Sequence, residues 1–79
     1  MIHIQVVGSG CPTCEKLESL CREVVAEKAM EAHIEKVTDI KRFAELGVFL
    51  TPGLLINGKL VSSGKLPTKL DIAVWVGQE

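Results

Sequence analysis

The chain has no run of like charge, no apolar stretch of membrane-spanning length and no repeat, linker or low-complexity tract. Nine Lys and Arg balance ten Asp and Glu to a formal charge of −1, which provides no surface for tracking a phosphate backbone and argues against nucleic acid as a partner. A membrane partner is argued against in the same way, because no segment approaches spanning length. The opening MIHIQVV is too short for a secretory h-region and carries no basic leader, so a cytoplasmic protein with its N-terminus intact is expected. Three cysteines, an odd number, do not make a static disulfide framework in a reducing compartment. They leave metal binding, redox chemistry or plain burial. Nor do 79 residues leave room for a second core, so residues 1–79 are read as one domain.

What is present is a regular alternation of elements. Ile2, Ile4 and Val6 alternate with His3 and Gln5 and are followed by Val7, a β-branched run that predicts a first strand. Gly8, Ser9 and Gly10 break it, and Pro12 suits a first helical position. Leu17, Leu20, Cys21, Val24 and Val25 then form one face of a helix expected to run to about Met30. His33 to Val37 alternates again and predicts a second strand. Thr38 and Asp39 can cap a short helix through Ile40, Phe43, Ala44 and Leu46, closed by Gly47 in a left-handed conformation. Leu54 to Ile56, Asn57-Gly58 and Leu60-Val61 read as a hairpin with a type I′ turn, ended by Ser62, Ser63 and Gly64. Pro67 can open a last helix with Leu70, Ala73 and Val74 facing inward and Trp75 packing it onto the sheet. The order is β-α-β-α-β-β-α, an α/β fold. Strands separated by helices are expected to be parallel through right-handed crossovers, and the hairpin adds an antiparallel edge. The result is a four-stranded mixed sheet with helices on both faces.

In that order Cys11 falls at the carboxyl end of the first strand and the start of the first helix. Unpaired amides and the helix dipole favour an anion there, and the N–H groups of Thr13 and Cys14 can point at the Cys11 sulfur. Cys11 is therefore expected to titrate below the free value of about 8.5, with Cys14, one turn further in beside Leu17, staying higher. Such an asymmetry suits dithiol exchange, in which an acidic thiolate attacks a disulfide and a more buried thiol resolves the product. Residues three apart on a helix share a face, with β-carbons about 5–6 Å apart, so a local adjustment brings the sulfurs to bonding distance.

The segments GSGCPTC and GVFLTPGLLINGKLVSSGKLP resemble the thioredoxin superfamily, most of all its small archaeal and bacterial redox-active disulfide, or glutaredoxin-like, members. The resemblance spans nearly the whole chain. It implies a thioredoxin-like fold and reversible oxidation of Cys11 and Cys14, with no cofactor beyond that redox-active disulfide. It also implies a cis peptide before Pro52 and substrate contacts from Pro12, Thr13, Thr51 and Pro52, the Thr51 backbone pairing with a substrate strand. A disulfide-bearing protein and an upstream reductase are the implied partners of an expected monomer. Two departures stand out: Ser9 and Gly10 replace the usual aromatic ahead of the first cysteine, and no acidic residue precedes Glu15. Ser62, Ser63, Gly64 and Lys65 replace the usual glycine pair and acidic residue, so glutathione is left open as a partner.

The alternative is a carrier of Cu(I) or zinc at the same Cys11/Cys14 pair, since soft thiolates favour those ions. Carriers of that kind resemble βαββαβ and end on a strand, whereas this chain opens its last segment with proline and has a TPGLLING stretch without a place in that fold. A binding module whose disulfide is never cycled remains a third reading. Cys21, about 10 Å along the helix from Cys14, is too far to share an ion with it and is read as a core residue. His3 and His33 are read as strand residues rather than ligands, Lys16 and Arg22 as solvated charges, and Gly8 and Gly10 as backbone geometry. Phe49 to Leu54 offers an apolar rim for a partner's loop.

Overall fold

The computed structural model describes residues 2–10 and 12–77. The elements are β1 (Ile2–Val7), α1 (Pro12–Glu27), β2 (Ala32–Val37), α2 (Ile40–Glu45), β3 (Gly53–Ile56), β4 (Lys59–Ser63) and α3 (Lys69–Gly77). The strands form one sheet in the order β2-β1-β3-β4, so β1 and β3 are central.

Period-two alternation divides the sheet's two faces. Ile2, Ile4 and Val6 of β1, with Leu54 and Ile56 of β3, pack against Leu17, Cys21 and Val24 of α1 and Ile72 and Val76 of α3. On the opposite face Val7, Val37, Val48 and Leu55 form a smaller cluster with Phe43 and Leu46, in and just after α2. Helices thus cover both faces, two on one side and one on the other.

β1 and β2 are parallel, Ile2 beside Ala32 and Val7 beside Val37. β3, however, runs antiparallel to β1, with Val7 opposite Gly53. The expectation that helix-separated strands are all parallel therefore fails for β2 and β3. The cause is the length of α2. Six residues make a helix of about 9 Å, too short to carry the chain back along a strand of about 20 Å. Val48 instead stays packed at the end where β2 finished, and β3 enters the sheet from there.

The ends of α1 and α3 also differ from expectation. α1 stops at Glu27 rather than near Met30, because Ala29 takes a left-handed conformation (φ 52°). The Met30 N–H donates to the Val25 carbonyl and the Ala29 N–H to that of Ala26, the two bonds of a Schellman cap with alanine where glycine is usual. Pro67 lies ahead of α3 instead of opening it. Thr68 caps the helix: its hydroxyl accepts the Asp71 N–H at 3.1 Å, and the Asp71 carboxylate accepts the Thr68 N–H at 3.2 Å. That start turns Ile72 and Val76 inward. Ala73 is half-buried, while Leu70 and Val74, expected inside, are exposed. Leu70 and the unbroken apolar run Ile72–Val76 lie all round α3, so its pattern could not choose a face.

The remaining local expectations hold with small shifts. Asp39 caps α2 by accepting the Lys41 N–H at 3.0 Å, and Gly47 (φ 78°) closes it. Asn57 (φ 51°) and Gly58 (φ 82°) are both left-handed, as a type I′ turn requires. Ser62 and Ser63 belong to β4 rather than ending it, and the β3–β4 register shifts between Leu54 and Leu55.

Candidate active site

Val7 and Gly53 are paired at one end of the two central strands. The Gly8–Gly10 turn and the Thr51–Pro52 segment therefore leave the sheet together, and α1 begins beside them. Gly10 (φ 86°) turns the chain from strand towards helix in a conformation that a side chain would strain. Cys11, the residue before α1, lies outside the described residues, as would any bond it makes. Pro12 and Thr13, the first two residues of α1, are exposed.

Cys14 is the third residue of α1. It lies on the inward face of α1 with Leu17, Cys21 and Val24 and is 2% exposed. Its sulfur sits against the backbone of Gly8, where an added methyl would lie 2.1 Å from Sγ and 3.1 Å from the Cys14 Cβ. Gly8 is itself fixed, its N–H donating to the Val37 carbonyl at 3.0 Å. Only a residue without a side chain leaves room for this thiol. From the sequence Gly8 was assigned a backbone role; its packing against Cys14 went unseen, and no motif signals it.

Thr51 is exposed and Pro52 buried, and the peptide bond between them is cis. The Pro52 carbonyl accepts the Gly64 N–H at 2.9 Å, and the Ser63 hydroxyl donates to the Leu50 carbonyl at 2.9 Å, so β4 anchors this segment. Phe49 and Leu50 just ahead are 81% and 65% exposed, a large apolar pair left open to solvent. Pro12, Thr13, Thr51 and Pro52, singled out from the sequence, thus belong to segments at the same end of the sheet.

Cys21 lies in the core with 0% exposure, and burial pushes its thiol up to about 12. That shift keeps the thiol protonated at neutral pH. Arg22 is engaged with Glu18, Nη2 to Oε2 at 2.8 Å, and Lys16 is exposed. Trp75 is half-buried against the larger core.

A second polar group occupies the α2 side of the sheet. Glu35 Oε2 accepts from Arg42 Nη1 at 3.1 Å, and its Oε1 accepts from Gln5 Nε2 at 3.2 Å and lies 3.2 Å from His3 Nε2. The Arg42 guanidinium, and then the Gln5 and His3 contacts, hold the Glu35 carboxyl below the usual carboxylate range. The sequence reading missed this network because its members meet only through the parallel register that sets Gln5 beside Glu35.

Comparison with known proteins agrees with the geometry. Residues 2–77 match the family model described as a thioredoxin domain. A thioredoxin of Methanothermobacter thermautotrophicus is 36% identical over 72 residues, covering 91% of this chain and 94% of that protein. A thioredoxin of Methanocaldococcus jannaschii is 38% identical over 72 residues, covering 91% of this chain and 83% of that protein. The strand order, the buried Cys14 and these matches agree: the chain belongs to the thioredoxin family.

Proposed function

We propose that this chain is a thiol-disulfide oxidoreductase in which Cys11 attacks and Cys14 resolves. Family membership supports such a role in general terms. The assignment of roles rests chiefly on one observation: Cys14 is sealed between α1 and Gly8, so a substrate can meet it only through a more accessible partner. Cys11, three residues earlier, is that partner in sequence.

The Cys11 thiolate attacks one sulfur of a substrate disulfide. A bond forms between them, and the other substrate sulfur leaves as a thiolate and takes a proton. Cys14 then gives up its proton and attacks the Cys11 sulfur, releasing the second substrate thiol and leaving a Cys11–Cys14 disulfide. Two electrons have passed to the substrate. An upstream reductase returns two electrons and two protons, and the electrons reside on the sulfurs, so no separate cofactor is required. Exposed Phe49, Leu50 and Thr51, with Pro12 and Thr13, offer a partly apolar rim for a protein substrate's disulfide loop. A helix, α2, stands between β2 and the β3–β4 hairpin, an element order that speaks against a metal carrier built as βαββαβ.

Single-cysteine variants test the roles. Cys14→Ser should accumulate mixed disulfides with a disulfide-bearing protein, and Cys11→Ser should form none and lose reductase activity. Equal residual activity in both variants overturns the assignment.

A further inference from the structure

The chain from Val48 to Pro52 lies at the end of the sheet where β3 begins and β4 finishes, and glycines seat it there. Val48 rests on Gly53, where an added methyl would be 2.7 Å from the Val48 Cγ1, and Leu50 rests on Gly64, where one would be 2.9 Å from the Leu50 Cβ. The Ser63 hydroxyl donates to the Leu50 carbonyl, and the Gly64 N–H to the Pro52 carbonyl, each at 2.9 Å. Gly53 and Ser63 are neighbours across β3 and β4, so seat and bonds belong to one patch of the sheet.

Thr51 stands between the two held carbonyls. It is exposed, and among the described residues its own N–H and carbonyl have no hydrogen-bond partner. The Leu50–Thr51 peptide is trans and planar, so its carbonyl and its N–H point in opposite directions. Tying that carbonyl to Ser63 therefore turns the Thr51 N–H away from β4. β1 and the Gly8–Gly10 turn that leads to Cys11 lie on the far side of β3 from β4. An open N–H and carbonyl ahead of a strand are what an extended peptide adds to, its own carbonyl accepting from the one and its N–H donating to the other.

We propose that Ser63 is a positioning residue for disulfide exchange: by holding the Leu50 carbonyl it fixes the Leu50–Thr51 peptide so that the Thr51 N–H is presented to the backbone of a protein substrate. Given the oxidoreductase role above, on which this assignment rests, the site favours disulfides carried on an extended peptide over small disulfides with no backbone amide to pair. Ser63 touches neither the cysteines nor the substrate. Its contribution is to hold the Thr51 backbone in one pose before a substrate arrives, so that less ordering is left to binding.

Ser63→Ala removes the hydroxyl alone, because the Gly64–Pro52 bond and the Gly53–Ser63 pairing are made by backbone. The reduced full chain is mixed with excess insulin, a disulfide-bearing protein, or with hydroxyethyl disulfide, which has no peptide backbone, and the second-order rate constants are compared. Ser63→Ala should slow the reaction with insulin at least about threefold and leave that with hydroxyethyl disulfide unchanged, and Ser63→Thr, which keeps the hydroxyl, should restore the insulin rate. A purely structural role would slow both reactions alike. An insulin rate unchanged in Ser63→Ala, equal slowing of both reactions, or a defect that threonine does not mend would each overturn the positioning role while leaving the oxidoreductase reading in place. A wild-type chain inert towards both disulfides, or a Cys11→Ser variant as fast as wild type, would overturn that reading and the positioning role with it.

Discussion

Gly8→Ala probes the seat of Cys14 directly. The new methyl would lie 2.1 Å from the Cys14 sulfur, where ordinary contact is about 3.5–4.0 Å, so the two must separate by about 1.5 Å. Neither side has slack: Cys14 is 2% exposed and Gly8 is tied to Val37. Turning the sulfur away relieves only part of the conflict, because the Cys14 Cβ is also within 3.1 Å of the methyl. Overpacking of this kind costs about 1–3 kcal/mol. For a domain this size each kcal/mol shifts Tm by about 4–8 °C, so a fall of about 4–24 °C is expected in thermal unfolding followed by Trp75 fluorescence. The reduced sulfur can turn partly aside, whereas one tied into a disulfide cannot, so the oxidised form carries more of the cost. An imbalance of about 1.4 kcal/mol raises the reduction potential by about 30 mV, readable against a glutathione or dithiothreitol couple. Cys14→Ala supplies the control, since it removes the sulfur that the methyl strikes. In that background Gly8→Ala should cost at least about 1 kcal/mol less than in the wild type. Equal costs in both backgrounds, or a wild-type cost below about 0.5 kcal/mol, would refute the packing argument.

Other consequences are independent of that clash. With its thiol pushed up to about 12, Cys21 should resist iodoacetamide at pH 8 in the native protein and react only on unfolding, as peptide mass mapping would show; rapid native labelling would contradict its burial. Ala29→Gly should stabilise the chain by about 0.5–1 kcal/mol in urea unfolding, because glycine adopts the left-handed cap of α1 without the alanine's strain; a loss of stability would contradict that strain. Glu35 titrates lower when folded than unfolded, so its stabilisation is present above the unfolded value of about 4.3 and disappears as pH falls through the depressed folded value. Arg42→Ala should therefore flatten the loss of stability between pH 5 and pH 3, by less than about 1 kcal/mol for a pair this open to water. An unchanged slope would show the pair to be inconsequential.

The elements were legible because each carries its own local signal: alternation in β1, a single apolar stripe in α1, Asp39 and Gly47 around α2, and Asn57-Gly58 in the hairpin. Strand direction was not, because β2 and β3 are related by how far α2 can carry the chain, a question of length rather than pattern. α3 hid its inward face because apolar residues surround it, and only the reciprocal Thr68–Asp71 cap sets where it starts. Of the residues singled out from the sequence, Pro12, Thr13 and Cys14 at the start of α1 and the Thr51–Pro52 stretch lie at the same end of the sheet. The need for glycine at position 8, and the meeting of His3, Gln5, Glu35 and Arg42, arise from contacts between strands and helices distant in sequence, which no window along the chain contains.

A pH titration of thiolate absorbance near 240 nm on the reduced, metal-free protein tests most directly whether Cys11 is the poised nucleophile. The account predicts a step below about 8.5 that vanishes in Cys11→Ser and survives in Cys14→Ser. A step that vanishes with Cys14 instead, or no ionisation until well above that value, would contradict it.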